Sequence, residues 1–188
     1  LYWETMEPQE GIFDFTLLDG LIGQAREEQK HLIFLWFGLW KNAESMYVPA
    51  WMKQDTDTYF RVRKVNGESI NTISPFCEAA IEKDANAFAK VMAHIREIDE
   101  QKSTVIFVQV ENEIGLLGTE RDYGQEAEEK FKEVVPAELK ELCATEGSWK
   151  EVFAENAEEY FMAYYFAKAV EKITKAGQQK YALPCYAN

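Results

Sequence analysis

The sequence predicts an α/β fold built on a parallel sheet. Apolar runs open near residues 32, 104 and 181, and amphipathic helical stretches separate them. That βαβαβ order implies parallel strands joined by right-handed crossovers. The middle run, Thr104–Val110, changes within one residue from apolar side chains to Glu111, Asn112 and Glu113, with Gly115 and Gly118 following. Polar groups delivered where a strand ends and a loop begins suit parallel α/β architectures, in which reactive side chains collect at strand C-termini. Barrel and doubly wound sheets both satisfy this order.

The elements follow in turn. Leu1-Tyr2-Trp3 reads as the end of a strand whose beginning lies outside the chain. Pro8 and Gly11 punctuate the next loop, and Phe13 and Phe15 supply alternating anchors for it. Leu17, Leu18, Leu21, Ile22 and Ala25 recur at helical spacing up to the charged stretch Arg26–Lys30. Leu32–Phe37 is a short apolar strand, and its long exit, Gly38 through Asp57, carries Trp40, Lys41, Asn42, Tyr47, Pro49 and Trp51. Loops of that length in compact domains serve function or are disordered, and the Trp content argues against disorder. Tyr59–Val65 and Glu68–Ile73 flank Asn66-Gly67, the strongest short hairpin signal, so residues 58–74 are expected to insert a hairpin into a single domain spanning 1–188. A helix is expected from Glu78 to Glu100, with Phe88, Val91, Met92, Ile95 and Ile98 on one face. His94 on that helix fits a solvated or capping role better than a metal ligand. After the strand Thr104–Val110, short acidic helices are expected at Gly124–Val134, Pro136–Ala144 and Ser148–Phe153. A longer one follows from Asn156 to Ala176, with Tyr160, Phe161, Tyr164, Tyr165, Ala169 and Ile173 as its apolar stripe and Gly177 as its stop. Tyr181–Tyr186 reads as the last strand.

Composition excludes several function classes. The 188 residues hold 20 Lys+Arg against 33 Asp+Glu, a net charge of −13, which disfavours nucleic acid and anionic membranes as partners. No apolar run approaches the roughly 20 residues of a membrane span. LYWETMEP lacks the basic start and apolar core of a signal peptide. Cys77, Cys143 and Cys185 are scattered, without CxxC or His spacing, and read as structural thiols rather than a disulfide framework or zinc site. No GxGxxG follows a strand, so dinucleotide cradling has no support.

What remains is a set of carboxyl, amide and aromatic groups near strand ends: Trp3, Glu4, Trp36, Trp40, Asn42, Asn112, Glu113 and Tyr186. Sugar rings stack their apolar faces on aromatic side chains, and their hydroxyls bond to amides and acids. Hydrolysis of a glycoside needs two carboxyl groups flanking the scissile bond, one with a raised pKa. Each residue also has a plainer role. Trp36 lies inside a strand and suits core as well as cleft, Trp51 and Trp149 suit packing, and Glu4, Glu7 and Glu10 suit loop solubility. Glu111 and Glu113 share strand parity, so alternation does not choose between them.

VQVENEIG resembles the QVENEYG-type motif of glycoside hydrolase family 35, the β-galactosidase family of the large (β/α)8 retaining superfamily. WETMEPQEGIFDF is similar to that group's second-strand loop, W-x-x-x-x-P-x-x-G-x-F-D-F, which family 42 shares, and YVPAWM resembles the P-x-W-L segment after strand three. The resemblance implies part of a TIM barrel, about strands 2–5 with their helices. It implies retention of configuration, Glu113 as general acid/base, and Asn112 as hydrogen-bond partner of the glycone 2-hydroxyl. Trp3, Glu4, Trp40 and Tyr186 are the expected substrate contacts, with no metal or cofactor. Trp36-Phe37-Gly38-Leu39-Trp40 replaces the usual R-P-G-x-Y, and the G-G before the Pro is absent, as in a divergent bacterial branch. The nucleophilic Glu of such barrels ends strand seven, so it is expected outside this chain, and the chain alone is expected to be inactive. Carbohydrate is the expected partner, with homo-oligomers compatible. The compartment is not encoded, although export to the periplasm or beyond suits relatives that degrade polysaccharides. A family-42 or cellulase-like β-glycosidase, a catalytically silent carbohydrate-binding domain and an acidic interaction domain are the competing readings.

Overall fold

The computed structural model describes residues 1–188 except Ala144, and the side chains of Lys140 and Leu142 are likewise outside the description. The chain runs α1 (Trp3–Met6), α2 (Thr16–Glu27), β1 (Leu32–Lys41), α3 (Ala50–Gln54), β2 (Arg61–Arg63), β3 (Ser69–Ile73), α4 (Glu78–Asp99), β4 (Val105–Asn112) and α5 (Gln125–Phe131). A 3-10 turn at Ala137–Leu142, α6 (Trp149–Phe153), a second 3-10 turn at Ala154–Asn156, α7 (Ala157–Gln178) and β5 (Cys185–Tyr186) complete it. The expected helical end at Ala144 lies outside the described residues. β1, β4 and β5 form one parallel sheet in that order. Residues 1 and 2 lie along the free edge of β1: Tyr2 bridges Phe37 in parallel, and the Phe37 N–H donates to Leu1 O at 2.8 Å. Four parallel segments in sequence order, with α4 and α7 covering one face, make a TIM-barrel-like α/β fold.

Sequence periodicity explains the packing. Ile81, Ala85, Phe88, Met92 and Ile95 recur on one side of α4 and are buried, as are Phe161, Ala169 and Ile173 on α7. These stripes cover Phe34, Trp36, Val108 and Val110. Ile33 and Phe107 point to the other sheet face and remain exposed. β2 and β3 pair antiparallel across Asn66-Gly67, where Gly67 takes the left-handed φ of 85° that suits glycine.

Four expectations need correction. Residues 1–3 do not simply end a strand: after Tyr2 the chain coils into α1, which turns Trp3 into the core. β5 covers only Cys185–Tyr186, shorter than the expected Tyr181–Tyr186, and the Pro184 carbonyl just before it accepts the Val108 N–H of β4 at 3.1 Å. Gly177 does not stop α7, which runs through it to Gln178. A Cβ at Gly177 would collide with Phe88 Cε1 and Cδ1, so this glycine lets α7 and α4 approach closely. Tyr160, expected in the apolar stripe, is exposed. Among the described residues, no helix is long and apolar enough to cross a membrane.

Candidate active site at the ends of the parallel strands

Adjacent strands meet irregularly at their C-terminal ends. Trp36 pairs with Val110, but the next pair is Lys41 with Asn112, so β1 carries three more residues than β4 over that interval. The extra length lifts the Leu39 and Trp40 N–H groups away from any β4 carbonyl. A buried donor without a partner costs on the order of 1–3 kcal/mol. Here a carboxyl group takes the place of the ladder. Glu111 Oε1 accepts the Leu39 N–H at 3.0 Å and Oε2 accepts the Trp40 N–H at 2.7 Å. Asp84, reaching over from α4, shares the Leu39 N–H at 2.9 Å and accepts Trp36 Nε1–H at 2.8 Å. Both acids are fully buried.

Burial and the neighbouring Asp84 carboxyl push Glu111 well above the ordinary carboxylate range, and its hydrogen bond to Asp84 adds to the effect. Burial also raises Asp84. Two adjacent buried acids cannot both ionise cheaply, and both are raised.

The backbone then makes a sharp exit. Glu111 and Glu113 take left-handed φ values of 61° and 49°, and Asn42 and Ala43 across the gap take 54° and 58°. Four non-glycine residues in that region concentrate strain at one place. The two exits are tied together: the Asn42 N–H donates to Asn112 O at 3.0 Å and the Ala43 N–H to Glu113 O at 2.9 Å. Asn112 Oδ1 accepts from Gln109 Nε2 at 2.9 Å, while its Nδ2 donates to Asn42 Oδ1 at 3.2 Å. The Glu113 N–H donates to Asn188 Oδ1 at 3.2 Å. Its side chain is exposed, in contrast to that of Glu111 two residues earlier.

The predicted site residues divide into two groups. Asn112 and Glu113 stand together at the β4 exit. Tyr186, 43% exposed, pairs in register with Gln109 on the neighbouring strand. Glu4 is half-buried and bonds to Lys53 at 2.8 Å. Trp3 and Trp40 have no exposed surface, which corrects their expected role as sugar platforms. Trp3 Nε1 donates to Glu7 Oε2 at 2.7 Å and Trp40 Nε1 to Ile73 O at 2.9 Å, so both indoles are occupied within the core. Trp36 and Trp149 are fully buried as well. Glu7 is no loop solubiliser: it is buried, and its Oε1 accepts the Gly11 N–H at 2.7 Å to close the loop after α1. His94 bonds to Asp19 at 2.6 Å and stacks on Phe15.

Asp84 was not singled out from the sequence, although an acid among Ile81, Ala85 and Phe88 on an apolar helix face is a legible signal. A groove of about 880 Å³ follows α7 and β5 past Leu116, Met162, Phe166 and Val170. Its walls are mainly apolar; Ile114 and Tyr186 line it and Glu113 does not. No cluster of three His, Cys, Asp or Glu among the described residues is arranged to hold a metal.

The exposed Glu113 and the anchored Asn112 thus stand at a strand end of a TIM-barrel-like α/β sheet. The chain belongs to glycoside hydrolase family 42, the beta-galactosidases: that family's model matches residues 1–162. This corrects the expected family 35. The P-x-x-G-x-F-D-F loop is common to both families and does not separate them. No curated protein matches the chain. Among solved structures, the chain is similar to the beta-galactosidase from Bacillus circulans sp. alkalophilus, with a TM-score of 0.70 at 15% identity. It is also similar to the cold-adapted beta-galactosidase from Rahnella sp. R3, with a TM-score of 0.66 at 16% identity. In both cases the match covers 99% of this chain and 30% of the other. The catalytic domain of beta-amylase from Paenibacillus polymyxa matches with a TM-score of 0.58 at 11% identity, over 98% of this chain and 56% of that one. These likenesses establish the fold. The chain spans under a third of the length of the two beta-galactosidases.

Proposed function

We propose that this chain is the acid/base-bearing part of a retaining β-galactosidase. Glu113 protonates the leaving-group oxygen as a terminal β-linked sugar departs, then deprotonates the water that releases the sugar from the enzyme. The nucleophile is a second carboxylate, about 5–5.5 Å from Glu113 in the working enzyme, supplied from outside residues 1–188. Asn112, held by Gln109 and Asn42, presents its amide to the glycone 2-hydroxyl. Glu4 and Tyr186 are the remaining candidates for sugar contact. The observation that carries this reading is the divergence of the two glutamates: Glu111 is consumed by backbone donors in the core, whereas Glu113 emerges exposed beside Asn112.

The intact protein and its Glu113→Gln variant, assayed on an aryl β-galactoside, provide the test. Loss of turnover with galactose binding retained supports the reading. An inactive wild type that still binds galactosides would instead mark a carbohydrate-binding domain. Turnover by the isolated 188 residues, abolished by Glu113→Gln, would refute the external nucleophile.

A further inference from the structure

The acid pair beneath the strand ends has a role that the reaction itself does not use. Glu111 sits one residue before Asn112 and two before Glu113, and its carboxyl is fixed to β1 rather than to its own strand. The left-handed turns at Glu111 and Glu113 redirect the backbone, and the side chain of Glu111 anchors that turn at its start. Asp84 braces the anchor from α4 through the shared Leu39 N–H and through Trp36. Gly38 is part of the same device, because a Cβ there would collide with Asp84 Oδ2 and leave the acid no room to reach Leu39. We propose that Glu111, braced on Asp84, is the positioning residue that aims Asn112 and Glu113 at the glycosidic bond. The proposal rests on Glu113 being the general acid.

The chemistry of the pair supports it. Glu111 must accept two backbone N–H bonds on two different oxygens and also bond to Asp84. A protonated carboxyl does all three. A glutamine amide has one acceptor oxygen, so its NH2 would face a backbone N–H and one of the two anchors to β1 would be lost. The titratable groups facing the pair are each other and Glu7 from the loop after α1, and β1 offers none between Leu32 and Trp40. Neither acid has a cationic partner among the described residues. The anchor therefore depends on hydrogen-bond geometry, which is the property that a misaimed catalytic acid would report.

Leaving-group dependence distinguishes aiming from mere folding. A 2,4-dinitrophenolate departs without a proton, while an alkoxide departs only with one, so an ill-placed acid slows alkyl galactosides selectively. Loss of folded enzyme slows both equally. In the intact protein, kcat/KM should be measured per titrated active site for methyl and 2,4-dinitrophenyl β-galactosides. The proteins to compare are the wild type, Glu113→Gln, Glu111→Gln and, should Glu111→Gln fail to fold, Asp84→Asn. For Glu111→Gln the alkyl substrate is expected to lose on the order of 10²-fold and the activated one no more than about threefold. Asp84→Asn is expected to show the same selectivity at smaller size. Equal losses on both substrates, or none, in the presence of a selective loss for Glu113→Gln, overturn the positioning role alone. A Glu113→Gln variant without selectivity overturns the acid reading and this proposal with it.

Discussion

The two ends of the parallel sheet each bury a carboxylate against a strand's backbone, and they do so in opposite ways. At the entry to β4, Asp99 Oδ2 accepts the Val105 N–H at 2.7 Å while Oδ1 meets Arg26 Nη2 at 2.6 Å. Arg26 extends the same network to Ile98 O at 2.5 Å and Thr104 Oγ1 at 3.1 Å. Burial pushes Asp99 up, but the Val105 N–H, Arg26 and Thr104 outweigh it and leave the acid below its ordinary range. At the exit of β4, Glu111 and Asp84 cap Leu39 and Trp40 without a cation, and both are raised. The entry is a compensated structural joint. The exit carries uncompensated acids and the exposed Glu113, whereas left-handed backbone occurs at both ends, at Gln29 and Ser103 before the strands as at Glu111 and Glu113 after β4. In barrels of this kind the C-terminal ends of the strands carry catalysis and the opposite ends carry stability, and the chemistry of these two caps divides in the same way.

The largest effect that could break this contrast is at Glu113. In the intact protein, Glu113→Gln is expected to lower turnover of unactivated galactosides by roughly 10²–10⁴-fold. Thermal unfolding should leave its Tm unchanged, because the side chain is exposed. Arg26→Met is the mirror experiment. It strands the buried Asp99, and chemical denaturation should show a stability loss of about 2 kcal/mol, reduced from a fully buried pair because Arg26 is partly solvated. Its kcat per folded molecule should not change. A kcat loss there, or a Tm loss at Glu113, would break the division between the two ends.

Acid titration sharpens it. Glu111 has a raised folded value, so its contribution to stability is complete below its ordinary value of 4.5 and fades as pH rises through the folded one. Asp99 has a depressed folded value, so its contribution is present above the ordinary 3.8 and is lost as pH falls through the folded one. The stability gap between wild type and Glu111→Gln should therefore narrow as pH rises from 4, while the gap for Asp99→Asn narrows as pH falls below 4. Denaturation at several pH values measures both slopes. The smallest effect belongs to the surface: Lys83 bonds to Glu10 at 2.5 Å in an exposed pair, and Lys83→Met should alter stability by no more than about 0.5 kcal/mol.

Much of the scaffold was legible because periodicity reports burial directly. β1, β4, α4 and α7 follow from apolar runs and stripes, and the hairpin from Asn66-Gly67. The site was legible in outline, since an apolar run breaking into Glu111-Asn112-Glu113 marks a strand end. The glutamates were not separable by parity because alternation presumes extended backbone, and the left-handed φ at Glu111 breaks it. The place of Asp84 on the apolar face of α4 marks it as buried, but its partners on β1 and β4 are reached through tertiary contact, which no local pattern encodes. Trp3 and Trp40 misled because an indole suits a sugar platform and a hydrogen-bonded core equally, and only their burial decides. Gly177 misled for a similar reason: a glycine near a helix end signals a stop, whereas here it removes a Cβ from the path of Phe88. Between families 35 and 42, the second-strand loop is shared and does not decide.

Azide tests the central claim most directly. In the intact protein, Glu113→Ala removes the acid/base but leaves the nucleophile, so an activated aryl β-galactoside should still form the covalent intermediate and stall. Added azide needs no general base, and the account predicts that it restores turnover and releases β-galactosyl azide. Release of the α-azide would make Glu113 the nucleophile, and no rescue at all would remove it from the reaction.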